Sequence, residues 1–574
     1  MSLTSPAIVT ELAARRLPRW VLLVLGLAYV VPGWWGRDPW RQADLASFGA
    51  MLDMARHSGH WLSPQVLGEA AQQLGWLPYW LGAAAIRLLP GWPADLAART
   101  PFALLLVLTL VCTWYAMYHL ARLPGAQPVA FAFGGEARPV DYARAMADAA
   151  LLALVASLGL TLLSHESSPS AAQLAFSALH LYGGARLVSP LARRHGLTVV
   201  TWWAASLGLT LSGAPGLALL FGMGWLMLAP WATTTAAEGH IRRLIWLSCG
   251  AGTLLAAWVA WQLGWSALTA AQPWAHWSAH APWRSLARLL LWFTWPVGLL
   301  ALWTLWRWRR RWREGQILLP LWWAGLTLAA TWWMNGDSRT LLLALPALAC
   351  LAAMALPTLS RTVTALVDWF ALLFFTGGAI VVWVIYVAMM TGLPAKPAAN
   401  VAKLVPAFRP EFAWPLLVPA VLATLVWLGL VAWRIGRHRP ALWKSLVLSA
   451  SGITLCWLLL MTLWLPLLNH GLGQRPISER IAAVTPPDSC VYVHGLDHAH
   501  IVGLQYHGQL DVRRWAPGRS QGRCQRLVVH PAAMHAAPSG SLEGWQLMTS
   551  IPRLRENRDR LLVFSRPAPD STAK

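Results

Sequence analysis

Apolar residues run in blocks of roughly 17–25 along most of the chain, the length a helix needs to cross a bilayer. Short stretches rich in Arg, Pro and Gly separate them. About thirteen blocks are legible, at 19–35, 98–120, 146–164, 171–189, 196–212, 214–232, 244–264, 286–306, 317–334, 340–357, 363–388, 414–433 and 445–466. Two regions break the pattern. In 36–97, Leu45, Phe48, Leu52 and Ala55 recur at helical spacing opposite Arg41, Gln42 and Arg56, which predicts an amphipathic helix on the bilayer surface. Residues 77–90, with Leu77, Leu81, Ala84, Ile86 and Leu88, predict a second apolar helix too short to span. Beyond 468, β-like runs occur at Val491–His494, Leu527–His530, Trp545–Met548 and Leu561–Phe564. A helix is expected over Ile477–Val484, stopped by Pro486 and Pro487. The pattern therefore predicts an all-α polytopic membrane domain over 1–467, with a first loop at 36–97, and a small α/β domain over 468–574.

Composition supports this class. Of 574 residues, 57% are hydrophobic and 12% charged, and mean hydropathy is +0.48. A soluble surface needs more charge, and a disordered chain far more polarity. Six Cys exclude a disulfide scaffold. The net charge of +22 does not signal nucleic acid, because the Arg sits between apolar blocks as the positive-inside bias requires. With the N-terminus inside, the inward loops hold Arg122, Arg138 and Arg144; Arg186, Arg193 and Arg194; Arg242 and Arg243; Arg361; and Arg434, Arg437, Arg439 and Lys444. Arg307, Arg309, Arg310, Arg311 and Arg313 form the densest inward group. The parity holds through every block and places 36–97 and the tail outside. The 40 Trp, against 9 Tyr and 13 Phe, often flank blocks as interfacial anchors do. Arg15, Arg16 and Arg19 before the run Trp20–Pro32, with no small-x-small site, read as an uncleaved first span.

Chemistry-bearing residues concentrate in the outward segments. Asp38 and Asp44 stand beside the expected membrane surface. A carboxylate there can take or orient a hydroxyl proton; at a helix start it equally serves as a cap. Ser164-His165-Glu166-Ser167-Ser168-Pro169-Ser170 places a His-Glu pair between two blocks. Asn335-Gly336-Asp337-Ser338-Arg339 opens another; Arg339 there either clamps a phosphate or snorkels. Lys396, Lys403 and Arg409 are further phosphate candidates on the same side, with Arg284, His276 and His280 weaker ones. His494, Asp497, His498 and His500, with His507 nearby, lack the spacing of a metal site and read as a polar loop after a strand. Cys490 and Cys524 are the tail's two Cys, on the side expected to be oxidising, which suits a disulfide. Cys112, Cys249, Cys350 and Cys456 read as small apolar residues. No nucleotide motif is present, so a lipid-linked donor suits the chain better than a nucleotide-sugar; no cofactor is expected, with a divalent cation left open.

One stretch resembles a known family. The order Asp38-Pro39-Trp40, Ala43-Asp44, Ser47-Phe48-Gly49, Ser58-Gly59-His60-Trp61-Leu62-Ser63-Pro64, Gly68-Glu69 and Gln73-Leu74-Gly75-Trp76-Leu77-Pro78-Tyr79-Trp80 is similar to the first loop of the GT-C glycosyltransferases related to the aminoarabinose lipid-A transferase and the protein O-mannosyltransferases. The resemblance implies a GT-C-like fold in a bacterial inner membrane, with a cytoplasmic N-terminus and a periplasmic C-terminal domain. It implies Asp44 and Glu166 as catalytic acids, and Asp38, Trp40, His60, Glu69, Tyr79, His165, Arg339, Lys396 and Lys403 as substrate-binding residues. The partners it implies are a polyprenyl-phosphate-linked sugar, a membrane lipid and a periplasmic acceptor. The chain departs from the family where Ala43 replaces the first acid of a pair, and where Gln73 and Leu74 replace a Glu-Lys. Two readings follow: a membrane glycosyltransferase, or a catalytically inactive relative that binds a polyprenyl lipid or assists assembly. A transporter ranks behind both, because the blocks hold few charges and show no duplicated halves.

Overall fold

The structure is a computed structural model. It describes every residue except 1–5, 41, 191–194, 233–238, 266–282, 436–440, 488, 517–523, 535–541, 543, 554–555 and 567–574. Arg41, Arg193, Arg194, His276, His280, Arg437 and Arg439 lie outside the described residues.

A helix stands at each apolar block. Among the described residues, four helices are long and apolar enough to cross a membrane: Ala94–Ala121, Arg242–Gln262, Thr362–Thr391 and Trp414–Arg434. Counting each bent pair as one span raises that to six. The other blocks are helical but shorter, broken, or rich in Trp and small residues. The block 286–306 bends by 98° between Trp283–Phe293 and Val297–Arg307, where Pro296 cannot donate a helical hydrogen bond. The last block bends by 69° between Lys444–Leu460 and Leu465–Leu472.

At the centre lies Leu345–Ala355, buried on every side, as a helix apolar all round must be. It packs on Pro139–Val155, Val297–Arg307 and Gly315–Trp333. Pro139–Val155 is rich in buried alanine: Ala143, Ala145, Ala147, Ala149, Ala150 and Ala153 are fully buried. Small side chains let backbones approach where water supplies no driving force between helices. At the periphery, Trp414–Ile435 exposes Val418, Leu422, Leu425 and Val426, a surface suited to hydrocarbon.

The loops gather at two ends. At one, Thr10 bridges Glu136, Leu442 N–H donates to the Ala13 carbonyl, and Arg311 donates to the Gly125 carbonyl at 2.9 Å. At the other, the first loop meets the segments around 166, 212, 339 and 469 and the tail. Trp76 N–H donates to the Leu211 carbonyl, and Asn469 donates to the Gly36 carbonyl at 2.9 Å.

The first loop holds α1 (Gln42–Arg56) and α2 (Leu77–Leu88). Between them lies a hairpin of β1 (Gln65–Val66) and β2 (Glu69–Ala70), turned by Leu67 and Gly68, both at positive φ as a type I′ turn requires. The surface helix expected here is instead interior. Ten of the eleven residues from Asp44 to Met54 are buried, because α1 packs against α2, against Ala94–Ala121 and against a tail helix, His498–Tyr506. The period of apolar positions was legible; Gln42 and Arg56 of the polar face stay exposed, while Asp44 and Ser47 are buried with the apolar positions.

The tail carries five strands: β3 (Cys490–His494), β4 (Asp511–Arg514), β5 (Cys524–Val529), β6 (Gln546–Arg553) and β7 (Glu556–Ser565), in the order β4-β3-β5-β7-β6. β3 pairs in parallel with β4 and β5, while β7 pairs antiparallel with β5 and β6. The helix expected at Ile477–Val484 runs Arg475–Ala483. Residues 498–506, expected as a polar loop, are helical. Asp497 caps that helix by accepting from His500 N–H at 2.8 Å, a cap of the usual kind. The sequence reading missed β4, because its Asp-Val-Arg-Arg composition is that of an edge strand rather than an apolar run. Cys490 and Cys524 are disulfide-bonded across the β3–β5 pair.

Candidate active site

Two buried carboxylates meet at the end of the bundle that carries the first loop. Asp44, in the first turn of α1, is 1% exposed. One oxygen is paired with Arg37 at 2.5 Å; the other accepts the Ser167 N–H at 2.8 Å. Neither bonds a backbone N–H of its own helix, so Asp44 joins two loops rather than capping α1. Glu166, also 1% exposed, pairs with Arg339 at 2.9 Å. Arg339 starts the short helix Ser338–Leu342, whose cap Asp337 accepts from its N–H and that of Thr340. An alternating chain therefore runs Arg37–Asp44–(Ser167–Glu166)–Arg339. Charges this deep require such pairing, because desolvation outweighs any single attraction.

Arg99 lies in the same neighbourhood, 2% exposed near the start of Ala94–Ala121. It donates to the Trp34 carbonyl at 3.1 Å, within electrostatic reach of Arg37, Asp44, Asp38 and Asp95. Among the described residues, the buried Nε–H groups of Arg37, Arg99 and Arg339 have no partner. Buried donors are normally satisfied, and three guanidinium donors left open suit an anion.

Asp38 sits at the rim. Arg475 reaches both of its oxygens at 3.4 Å. Asn469 organises this rim, accepting from Asp38 N–H at 3.0 Å and from the Trp40 indole at 2.8 Å. Arg37 stacks on Trp40, 5.2 Å from the ring centre. A cavity of about 360 Å³ with mixed polar and apolar walls opens here, lined by Asp38, Phe408, Arg409, Asn469, Arg475 and Glu479 among others. A second cavity of about 360 Å³ is almost wholly apolar and lies at the bend around Trp295, lined by Leu290, Leu291, Thr294, Leu299, Leu302 and Leu348 among others. Its helix Trp283–Phe293 packs against Leu158–Leu163, as does the helix bearing Arg339. Both helices therefore flank Leu158–Leu163, and neither Glu166 nor Arg339 lines the apolar cavity.

The remaining residues singled out from the sequence take other places. His165 is buried against Trp457, Tyr29 and Gly33, with its two ring nitrogens facing the carbonyls of Thr161 and Tyr29 at 2.9 and 3.1 Å. Tyr79 is buried, and its hydroxyl donates to the Gln73 carbonyl at 2.9 Å; burial pushes the phenol up, so it stays neutral. Glu69 binds Arg514 and, at 3.1 Å, His498, joining the first-loop hairpin to the tail. Arg514 chiefly holds its carboxyl below the usual range. His60 binds Asp53 at 2.6 Å. Lys396 and Lys403 are exposed on the helix Ala395–Leu404; neither forms an ion pair among the described residues. Arg284 lies on Trp283–Phe293.

Sequence reasoning missed Arg37, Arg99, Asn469 and Arg475. Arg99 carried a readable signal, since a cation inside an apolar block is a functional hypothesis by default. Asn469 and Arg475 carried none, because they meet Asp38 across more than 400 residues of chain.

No protein-family model matches the sequence, and no curated protein does. Solved structures do match. ArnT from Cupriavidus metallidurans, bound to undecaprenyl phosphate, superposes with a TM-score of 0.60 at 16% identity, over 95% of this chain and 98% of that one. Its apo form gives 0.58 at 17% identity with the same coverage. The Archaeoglobus fulgidus oligosaccharyltransferase in its apo form matches more distantly, with a TM-score of 0.44 at 10% identity over 90% of this chain and 69% of that one. The chain has the fold of the Cupriavidus metallidurans ArnT structures over nearly its whole length.

Proposed function

We propose that the chain is a membrane glycosyltransferase that moves a sugar from a polyprenyl-phosphate carrier to a lipid or glycan acceptor. Its first loop and tail face the periplasm of a bacterial inner membrane. The observation that carries this reading is the meeting of Asp44 and Glu166, each held by an arginine, at the end of the bundle that carries the first loop. The apolar cavity around Trp295 suits a polyprenyl tail, and the open Nε–H groups of Arg37, Arg99 and Arg339 suit its phosphate. The likeness to a fold solved with undecaprenyl phosphate supports the same reading.

In the reaction, the acceptor hydroxyl oxygen bonds to the anomeric carbon while that carbon's bond to the carrier phosphate breaks. The hydroxyl proton passes to the Asp44 carboxylate, and the phosphate leaves with the bond electrons, neutralised by Arg339. For this, Asp44 Oδ2 exchanges Arg37 for the hydroxyl, while the Ser167 N–H keeps the carboxylate in place through Oδ1. No metal or other cofactor enters this scheme. A second reading has its own observation: both Asp44 oxygens are already engaged, as a lipid-binding or assembly protein without catalysis would have them.

Native mass spectrometry of the detergent-purified protein tests the proposal. A co-purifying polyprenyl-phosphate sugar supports transfer and names the sugar. Bare polyprenyl phosphate supports the scaffold in either reading. Absence of both, even after the lipid is added, overturns the donor assignment.

A further inference from the structure

Asp53, His57 and His60 stand at the far end of α1 from Asp44, nine residues along the helix, about 14 Å at 1.5 Å per residue. His57 follows the last residue of α1, its N–H donating to the Asp53 carbonyl at 2.8 Å, and its extended backbone leads into the short 3₁₀ turn Ser58–His60. Each Asp53 oxygen faces one imidazole: Oδ1 lies 3.1 Å from His57 Nδ1, and Oδ2 lies 2.6 Å from His60 Nδ1. The two rings are 5.2 Å apart. One ligand atom from each residue falls within 4.8 Å of the other two, and no other such group occurs among the described residues.

We propose that these three side chains form a binding site for a divalent transition-metal ion of the zinc class. The donor set decides the class. Two neutral imidazole nitrogens and one carboxylate suit zinc and its neighbours, whereas magnesium and calcium take oxygen ligands. Three protein ligands leave the remaining coordination positions to water or an anion. The exposures agree: His57 is 60% exposed, His60 33% and Asp53 22%, so an ion can enter from solvent without opening the fold. Without the ion, the carboxylate accepts from the two imidazoles and preserves the cluster's geometry.

The site sits on a joint. Arg87 of α2 donates to the carbonyls of Ala55 and Met54 at the end of α1, at 2.9 and 3.2 Å. Trp80 of α2 donates to the carbonyl of Trp61, next to His60, at 2.7 Å. Arg87 also stacks on Trp61 at 5.2 Å. An ion that ties His57 and His60 to Asp53 locks the exit of α1 onto α2. The role is therefore a clip within the first loop, separate from the Asp44–Glu166 cluster and independent of the transferase reading.

The test uses tag-free, full-length protein in detergent, stripped with chelator and titrated with Zn²⁺ by calorimetry. Co²⁺ serves as a spectroscopic stand-in. One Zn²⁺ per chain is expected, with a visible Co²⁺ spectrum and a raised melting temperature on metal addition. His57→Ala, His60→Ala and Asp53→Asn should each abolish the stoichiometric step while melting like the stripped parent without metal, which shows that they fold. Absence of stoichiometric binding by the parent, or binding unchanged in all three variants, overturns the site.

Discussion

At the scale of single residues, the first loop shows how one side chain can be read correctly as important and wrongly as to its contacts. Asp44 stood out because a carboxylate near a membrane face is either chemical or a cap, and the sequence left both open. Its partners, Arg37 and the Ser167 N–H, close the question of capping, since neither is a helix N–H of α1. Replacement of Asp44 by Asn then has a quantitative consequence. Arg37, 3% exposed, would keep its charge with no counter-ion, at a cost of about 3–5 kcal/mol. A cap alone would cost about 1 kcal/mol. Thermal unfolding of Asp44→Asn in detergent distinguishes the two. The paired change Arg37→Met with Asp44→Leu should recover much of the lost stability without recovering sugar transfer. A small loss in Asp44→Asn, near the cap value, would show that the buried pair is not what holds the site. The acids were legible because few charges interrupt this chain. Their arginine partners were less so, because Arg is common here for reasons of topology.

Secondary elements were more legible than their surroundings. The apolar blocks and α2 follow from length and period, and the β-like runs in the tail mark four of its five strands. The full burial of α1 was not legible, because part of its cover is the tail helix His498–Tyr506, some 450 residues away. That docking has a single tight point: a Cβ built on Gly49 would lie 2.1 Å from Val502 Cγ2. Val is stiff at χ1, so Gly49→Ala should cost about 1–3 kcal/mol of overpacking. The loss should appear as faster proteolysis of the tail, and Val502→Ala on the same chain should reverse most of it. Equal protease resistance in Gly49→Ala would mean that the tail does not dock through His498–Tyr506. The second tether, Glu69 with Arg514 and His498, sets a pH dependence. The carboxyl titrates below its ordinary 4.5 in the folded chain. Its contribution is therefore full above 4.5 and is lost as pH falls through the lower folded value. Glu69 is half-exposed, so the effect is under about 1 kcal/mol. Hydrogen exchange in the hairpin and the tail should rise together on acidification, and Glu69→Gln should already show the acid level at neutral pH.

At the scale of the whole molecule, two unrelated arguments support the proposed orientation. The first is charge. The segments that the positive-inside bias assigns to the cytoplasm meet at one end of the bundle, as the contacts of Thr10 with Glu136 and of Arg311 with Gly125 require. The second is redox chemistry. The Cys490–Cys524 bond lies in the tail, at the opposite end, and disulfides persist in oxidising compartments. Neither argument uses the other, and both support the proposed orientation, with the carboxylate cluster on the periplasmic side. The orientation is directly measurable with a thiol reagent that cannot cross the inner membrane. Single replacements Ser58→Cys in the first loop and Ser550→Cys in the tail should label in intact spheroplasts. Gly134→Cys and Arg313→Cys, at the other end, should label only after permeabilisation. The native background is low, because Cys112, Cys249 and Cys350 are buried, Cys456 is half-buried, and the tail pair is bonded. The reverse pattern would place the carboxylates in the cytoplasm and remove the periplasmic donor from the proposal. Labelling at both ends without permeabilisation would contradict the two-ended arrangement itself.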